Sequence, residues 1–283
     1  MKYCLAVLAE VDAILRGSGR VLIASDFDGT LCPIAPTPSE VAVAPATLEI
    51  LRRAAACPRL SLAVISGREL SDIRRRVPLE IVFAGNHGLE VSGRGIDFEH
   101  EGARQLRASL TGACEALGAV LREWPAAWIE DKGLSATLHF RQVQPHHDHA
   151  LLFAARRALS AGGSQLALRV GNRALELRPK VPWEKGHALE YIREKAGPFE
   201  GCICLGDDTT DESMFRANRD QLNIRIGRSA RTAATHYLQD PGEVTILLSH
   251  IVDIAGSAPR PAGYAASAAA ALGFNECGTL AEG

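Results

Sequence analysis

The stretch Val21–Ile34, "VLIASDFDGTLCPI", sets two carboxylates at the end of a segment built for burial. Val21 to Ala24 are apolar or small, as a strand covered on both faces requires. Asp26 and Asp28 follow two positions apart, then Gly29 and Thr30. A buried strand that ends in paired carboxylates needs something to offset their charge.

A second segment repeats the pattern. "CICLGDDTTDE", Cys202–Glu212, is again a run of small apolar residues leading into aspartates. In an open parallel sheet, ligands bind beyond the carboxyl ends of the strands. With these two strands as central neighbours, Asp26, Asp28, Asp207, Asp208 and Asp211 converge on one crevice. Carboxylates gathered there repel one another and raise each other's pKa unless a positive charge sits between them. A hard divalent cation with oxygen ligands is the simplest such charge. Mg²⁺ is preferred, because it takes a few carboxylates and keeps waters that a phosphate can replace. "VISGR", Val64–Arg68, ends another strand with a hydroxyl (Ser66), an open backbone (Gly67) and a guanidinium (Arg68). "WEKG", Trp183–Gly186, brings Lys185 to the start of a helix. Taken singly, each piece reads as a helix cap, a turn residue or a solvated charge. Four pieces in this order, each at an element boundary, make a phosphoryl-transfer set.

The surrounding pattern places these motifs. Up to about Ala84 the chain alternates apolar strands ("RVLIAS", "LSLAVIS", "EIVFAGN") with helices, "APATLEILRRAAAC" and "SDIRRRV". That pattern predicts an α/β Rossmann-type core with a parallel sheet covered on both faces. "GLEVSGRGIDFEH" reads as a hairpin with a Gly-rich turn. The alternation then gives way to helix (about 104–123), hairpin, helix (about 146–161), hairpin. In the first of these hairpins Leu134, Ala136, Leu138 and Phe140 take one face. In the second, turning at "GNR", Leu175 and Leu177 oppose Glu176 and Arg178. This passage predicts an inserted α+β domain. The expected organisation is core 1–102, insert 103–181, core again 182–256, and a low-complexity, poorly ordered tail 257–283.

Composition narrows the function classes. Among 283 residues the net charge is −2, so no basic excess points to nucleic acid or to an anionic membrane surface. Seven scattered cysteines with no CxxC pair argue against a disulfide framework or zinc site and fit a reducing, cytoplasmic setting. No apolar run approaches a membrane span. At the start of the chain, Leu5, Leu8, Val11, Ile14 and Leu15 recur at helical spacing, so that segment reads as an amphipathic helix rather than a signal peptide. "QPHHDHA" clusters His146, His147, Asp148 and His149, but adjacent helix positions diverge, and a solvated helix start accounts for it better than a metal site.

"DFDGTL", "VISGR", "WEKG" and "GDDTTDE" together resemble the four ordered motifs of the haloacid dehalogenase (HAD) superfamily of phosphotransferases. "GNHGLE", "EDKGLSATLHFR", "LELRP" and "GDDTTDESMF" resemble its trehalose-phosphatase branch. The likeness runs from about Val21 to Ile251. It implies a HAD-like core whose insert is a cap that closes over the site and excludes water. It implies Asp26 as the nucleophile that forms an aspartyl-phosphate, and Asp28 as the acid that protonates the departing sugar oxygen, its pKa raised for that step, and then activates water. Ser66 and Lys185 would hold phosphate oxygens. Mg²⁺ would be held by the Asp26 carboxylate, the Asp28 carbonyl and Asp207, with Asp211 direct or through water and Asp208 the least defined. Glu130, Lys132 and Glu176 match the positions that read the sugar. His139 and Arg141 share a polar strand face and are weaker candidates, whose competing reading is an exposed sheet edge. Asn86 and His87 border the crevice, with a turn role as the alternative. The implied reaction is hydrolysis of trehalose 6-phosphate, with a functional link to a trehalose-phosphate synthase. Another sugar phosphate, such as sucrose or glucosylglycerol phosphate, and a non-catalytic sugar-phosphate sensor are the rival readings.

Overall fold

A computed structural model of the chain describes residues 2–3, 5–17, 19–160, 165–171 and 173–257. The low-complexity tail, from residue 258 on, lies outside the described residues, as does Asn172 of the "GNR" turn. In chain order the elements are β1 (Lys2–Tyr3), α1 (Leu5–Leu15), β2 (Val21–Ser25), α2 (Pro45–Ala56), β3 (Leu60–Ile65), α3 (Leu70–Arg76), β4 (Val82–Gly85), β5 (Glu90–Gly93) and β6 (Ile96–Glu99). Next come α4 (Glu101–Gln105), α5 (Arg107–Val120), β7 (Trp128–Asp131), β8 (Ala136–His139), α6 (Asp148–Ser160), β9 (Leu166–Gly171) and β10 (Ala174–Pro179). The chain ends its described part with α7 (Lys185–Ala196), β11 (Gly201–Gly206), α8 (Glu212–Ala217), β12 (Leu222–Ile226), β13 (His236–Leu238) and α9 (Pro241–Ala255). Two compact units result: the described residues up to Asp97 together with those from Trp183 on, and Phe98–Pro182.

The first unit carries a nine-stranded sheet ordered β1-β13-β12-β11-β2-β3-β4-β5-β6. All pairs from β1 to β4 are parallel, and β5 returns antiparallel to β4. Every residue of β2, β3 and β11 is buried, which explains their unbroken apolar sequences. From β2 the strands run through β3 to β4 on one side; from β11 they run through β12 to β13 on the other. The switch point therefore falls between β2 and β11, the place where an open α/β sheet leaves a crevice at its carboxyl edge. Val7, Leu8, Val11 and Leu15 of α1 and Leu247, Leu248 and Ile251 of α9 join the core around this sheet.

The second unit is a four-stranded antiparallel sheet, β7-β8-β10-β9. One face packs on helices: Ala136, Leu138, Leu175 and Leu177 are fully buried with Leu110 and Leu117 of α5 and Leu151 and Ala155 of α6. The predicted helix over 104–123 is broken at Leu106, where the backbone leaves helical geometry (φ −91°, ψ 4°) and α4 gives way to α5. The predicted helix at 146–161 begins as a 3-10 turn, Pro145–His147, before α6. There Asp148 takes two hydrogen bonds from Arg173, at 2.7 and 3.0 Å, so it joins the helix start to the β9–β10 hairpin. β1 and β13 were not legible from pattern, because two or three residues are too short to show a period.

Candidate active site

β2 and β11 lie side by side with Leu205 opposite Ser25, and the Asp26 N–H donates to the Leu205 carbonyl at 2.9 Å. The two strand-end aspartate motifs are thereby brought to one place. Asp26, Asp207 and Asp211 can each present a carboxylate oxygen within 4.8 Å of the others. Gly29, at φ +79°, passes so close that a Cβ there would overlap the Asp207 carboxylate. A Cβ at Gly206 would likewise strike Asp211, so both glycines are backbone that the carboxylates lie against.

One ammonium serves this cluster. Lys185 Nζ donates to Asp26 Oδ1 at 2.6 Å and to Asp211 Oδ1 at 2.7 Å, with the lysine only 3% exposed. Lys185 owes its place to the start of α7. The helix begins in a capping box in which the Glu184 N–H donates to His187 Nδ1 at 3.0 Å. The Trp183 indole N–H donates to the Gly88 carbonyl at 2.7 Å and its ring stacks on His187. The Gly186 N–H donates to Ser213 Oγ of α8.

The charges are unbalanced. Burial pushes Asp26 well above the usual carboxylate range; Lys185 opposes the shift, and Asp211 and Asp207 add to it. Asp207 is pushed up to about 6, by burial first and Asp211 next, with Lys185 opposing and Asp208 adding. Burial alone would lower Lys185, but Asp211 and Asp26 outweigh it and hold the ammonium in its charged form. Three acidic groups thus share one cation, and carboxylate oxygens around a charge deficit suit a hard divalent ion. Asp211 is fully buried and also accepts the Asp207 and Asp208 N–H groups, each at 3.0 Å, so it shapes the turn that presents Asp207. Asp208 is not part of the cluster: it is exposed, and its carboxylate caps the following turn through the Thr209 N–H.

Asp28 faces a different partner. Its two oxygens accept from Arg68 Nε and Nη2, both at 2.7 Å. Arg68 also donates to Asp72 Oδ2 at 2.8 Å and to the Pro38 carbonyl at 3.1 Å, so most of its donors are used within the protein. A guanidinium only donates, so the hydroxyl of a neutral Asp28 would find no acceptor there. Asp72, four residues on from Arg68 in α3, was missed in the sequence; its signal was the helical i, i+4 spacing.

The remaining candidates are placed as follows. Ser66 is buried just past β3, its Oγ accepting the Arg68 N–H at 3.2 Å. Asn86 and His87 adopt left-handed backbone (φ 49° and 59°) and dock on the same loop: the Asn86 N–H donates to the Arg68 carbonyl and the His87 N–H to that of Ser66. A Cβ on Gly67 would meet the His87 ring, so these loops are packed together. In the second unit, Glu130, Lys132, His139 and Glu176 are partly buried and Arg141 is exposed. β8, which carries His139, lies between β7 and β10, so the sheet-edge reading does not hold for it. Trp128, not singled out in the sequence, shares a face of β7 with Glu130 by the two-residue period. No helix of the described residues is long and apolar enough to cross a membrane.

Comparison with known proteins gives a consistent result. A family model described as trehalose-phosphatase matches residues 24–241. An uncharacterized glycosyl hydrolase of Mycobacterium tuberculosis is 36% identical over 263 residues, covering 87% of this chain but 19% of that protein. A probable trehalose-phosphate phosphatase of Arabidopsis thaliana is 30% identical over 253 residues, covering 83% of this chain and 70% of that one. The chain thus spans about a fifth of the mycobacterial relative and over two thirds of the plant one. Among solved structures, a trehalose-6-phosphate phosphatase related protein superposes with a TM-score of 0.73 at 26% identity, over 82% of this chain and 97% of that one.

Proposed function

This chain belongs to the trehalose-phosphatase family of the HAD superfamily, and from that premise we propose that it hydrolyses trehalose 6-phosphate to trehalose and phosphate. The observation that carries the reading is the cluster of Asp26, Asp207 and Asp211, with Asp26 and Asp211 buried and paired to Lys185, at the switch point of the sheet. In the proposed reaction, an Asp26 oxygen attacks phosphorus and the bond from phosphorus to the sugar oxygen breaks. The electron pair leaves with that oxygen, which takes a proton from Asp28. Water then attacks the aspartyl-phosphate, giving its proton to Asp28 and returning Asp26 as a carboxylate. Lys185 steadies the charge on Asp26, and Ser66 donates to a phosphate oxygen. Asp26, the Asp28 carbonyl and Asp207 would hold Mg²⁺, with Asp211 beside them. When bound, the ion supplies positive charge for the phosphate oxygens. Asp208 is better read as a turn cap, and Arg68 as the partner of Asp28 rather than of substrate. On the face of the second unit's sheet opposite its helices, Glu130, Lys132 and Glu176 are proposed to take sugar hydroxyls. A trehalose-phosphate synthase would supply the substrate.

Two measurements follow. Phosphate release from trehalose 6-phosphate is expected in Mg²⁺ and is expected to vanish on chelation. Comparable turnover of sucrose and glucosylglycerol phosphates would refute the narrow assignment, and tight binding with no turnover would favour the sensor. The second concerns stability. A carboxyl with a folded pKa of about 6 against an ordinary 3.8 holds more protons folded than unfolded between those values. Its contribution therefore falls as pH rises from about 4 to about 6 and stays low above that. Asp26, Asp211 and Lys185 act on Asp207 with the charge of the adjacent Asp208, and a cation taking the proton's place offsets the loss. Mg²⁺ should raise Tm more at pH 8 than at pH 5; an equal or larger shift at pH 5 would contradict the assignment of these residues to the ion.

A further inference from the structure

Trp128 is 42% exposed on β7, directly opposite His139 of β8. The two rings stack, 4.2 Å between centroids and 20° between planes. His139 Nε2 lies 2.8 Å from Glu130 Oε2, and that acceptor requires the imidazole hydrogen to be on Nε2. Lys132 Nζ lies 3.8 Å from the same oxygen. Glu130 pairs in register with Thr137, Thr137 with Glu176, and Glu176 with Arg169, so a polar row crosses all four strands next to the stacked rings. None of this is core packing. The helices cover the opposite face, where Ala136, Leu138, Leu175 and Leu177 are buried. An indole held in the open above an imidazole that itself holds a carboxylate is a chain of three side chains, each fixing the next.

We infer that Trp128 and His139 form a brace that fixes Glu130 to accept a hydroxyl from a pyranose ring of the substrate. The inference rests on the reading of this face as the sugar-binding one. His139 is then a positioning residue that acts through Glu130, and Trp128 is a specificity-determining residue one step further out. A carboxylate built to accept a particular hydroxyl discriminates only when its rotamer is held before substrate arrives.

The test compares the full chain with Trp128→Ala, Trp128→Phe, His139→Ala, His139→Gln and the double alanine variant. The substrates are trehalose 6-phosphate and p-nitrophenyl phosphate, which has no sugar. Trp128→Ala and His139→Ala should each raise KM for trehalose 6-phosphate about tenfold with kcat within about twofold, the mark of lost ground-state binding. The ratio of kcat/KM for the sugar phosphate over the aryl phosphate should fall by the same factor. Phe at 128 keeps the ring and Gln at 139 keeps a donor, so both should recover most of the loss. The double variant should be no worse than His139→Ala alone, because the residues act in series. An unchanged KM in Trp128→Ala, equal losses on both substrates, or additive losses in the double variant would overturn the brace while leaving the phosphatase assignment intact. A wild type active on a different sugar phosphate overturns the assigned substrate, and the brace is then judged by the same ratio on that compound. A wild type that hydrolyses no sugar phosphate overturns both.

Discussion

Asp26→Asn is expected to abolish phosphate release from trehalose 6-phosphate, by at least about 10⁴-fold in kcat, the scale on which removing a covalent nucleophile acts. The variant should stay folded. Asp26 is one of two buried acids paired with one ammonium, and burial already works against its charge. An amide of the same shape removes that charge and still offers Lys185 an oxygen. Loss of activity with a wild-type Tm would locate the defect in chemistry. Retained activity would remove Asp26 from the nucleophile's role.

Lys185→Met should lose both activity and stability. The methionine fills the space of the lysine stem but leaves Asp26 and Asp211 without the ammonium that each contacts within 2.7 Å. Breaking a buried ion pair from one side costs roughly 3–5 kcal/mol, and for a domain of this size each kcal/mol lowers Tm by roughly 2–4 °C. Activity should fall at least about 10²-fold, since the group that offsets charge at the nucleophile is gone. Combining Lys185→Met with Asp26→Asn should restore part of the stability and none of the activity. A double variant as unstable as Lys185→Met alone would mean that the lysine stem, rather than its charge pairing with Asp26, holds the fold.

The contrast between these variants reflects what could be read from residues alone. The parallel core was legible because Val21–Ser25, Leu60–Ile65 and Gly201–Gly206 are apolar without interruption, and only doubly covered strands need that. The meeting of Asp26 with Asp207 and Asp211 was legible once the two strands were taken as neighbours, which their register bears out. The direction in which Asp208 turns was not. Neighbouring aspartates look alike in sequence, and only the turn geometry sends one carboxylate to Thr209 while Asp211 folds back to the Asp207 and Asp208 amides. Arg68 shows the same limit of sequence reading. A guanidinium after a strand suggests an anion, and sequence alone does not show that Asp28, Asp72 and the Pro38 carbonyl take most of its donors. Trp128 carried a signal in its spacing from Glu130, yet the stack with His139 depends on strand register, and no spacing within one strand reveals that.

The claim on which the rest depends is that Asp26 itself carries the phosphoryl group. Acid quenching during turnover of trehalose 6-phosphate labelled in its phosphoryl group, followed by peptide mapping, tests this directly. Asp28→Asn serves as a second sample, since slower hydrolysis lets the intermediate accumulate. The expected result is a label, acid-stable and released by hydroxylamine, on the peptide that contains Asp26 and absent from Asp26→Asn. Label on Asp28 or Asp207 in its place, or an Asp26→Asn variant that still releases phosphate at the wild-type rate, would contradict the mechanism.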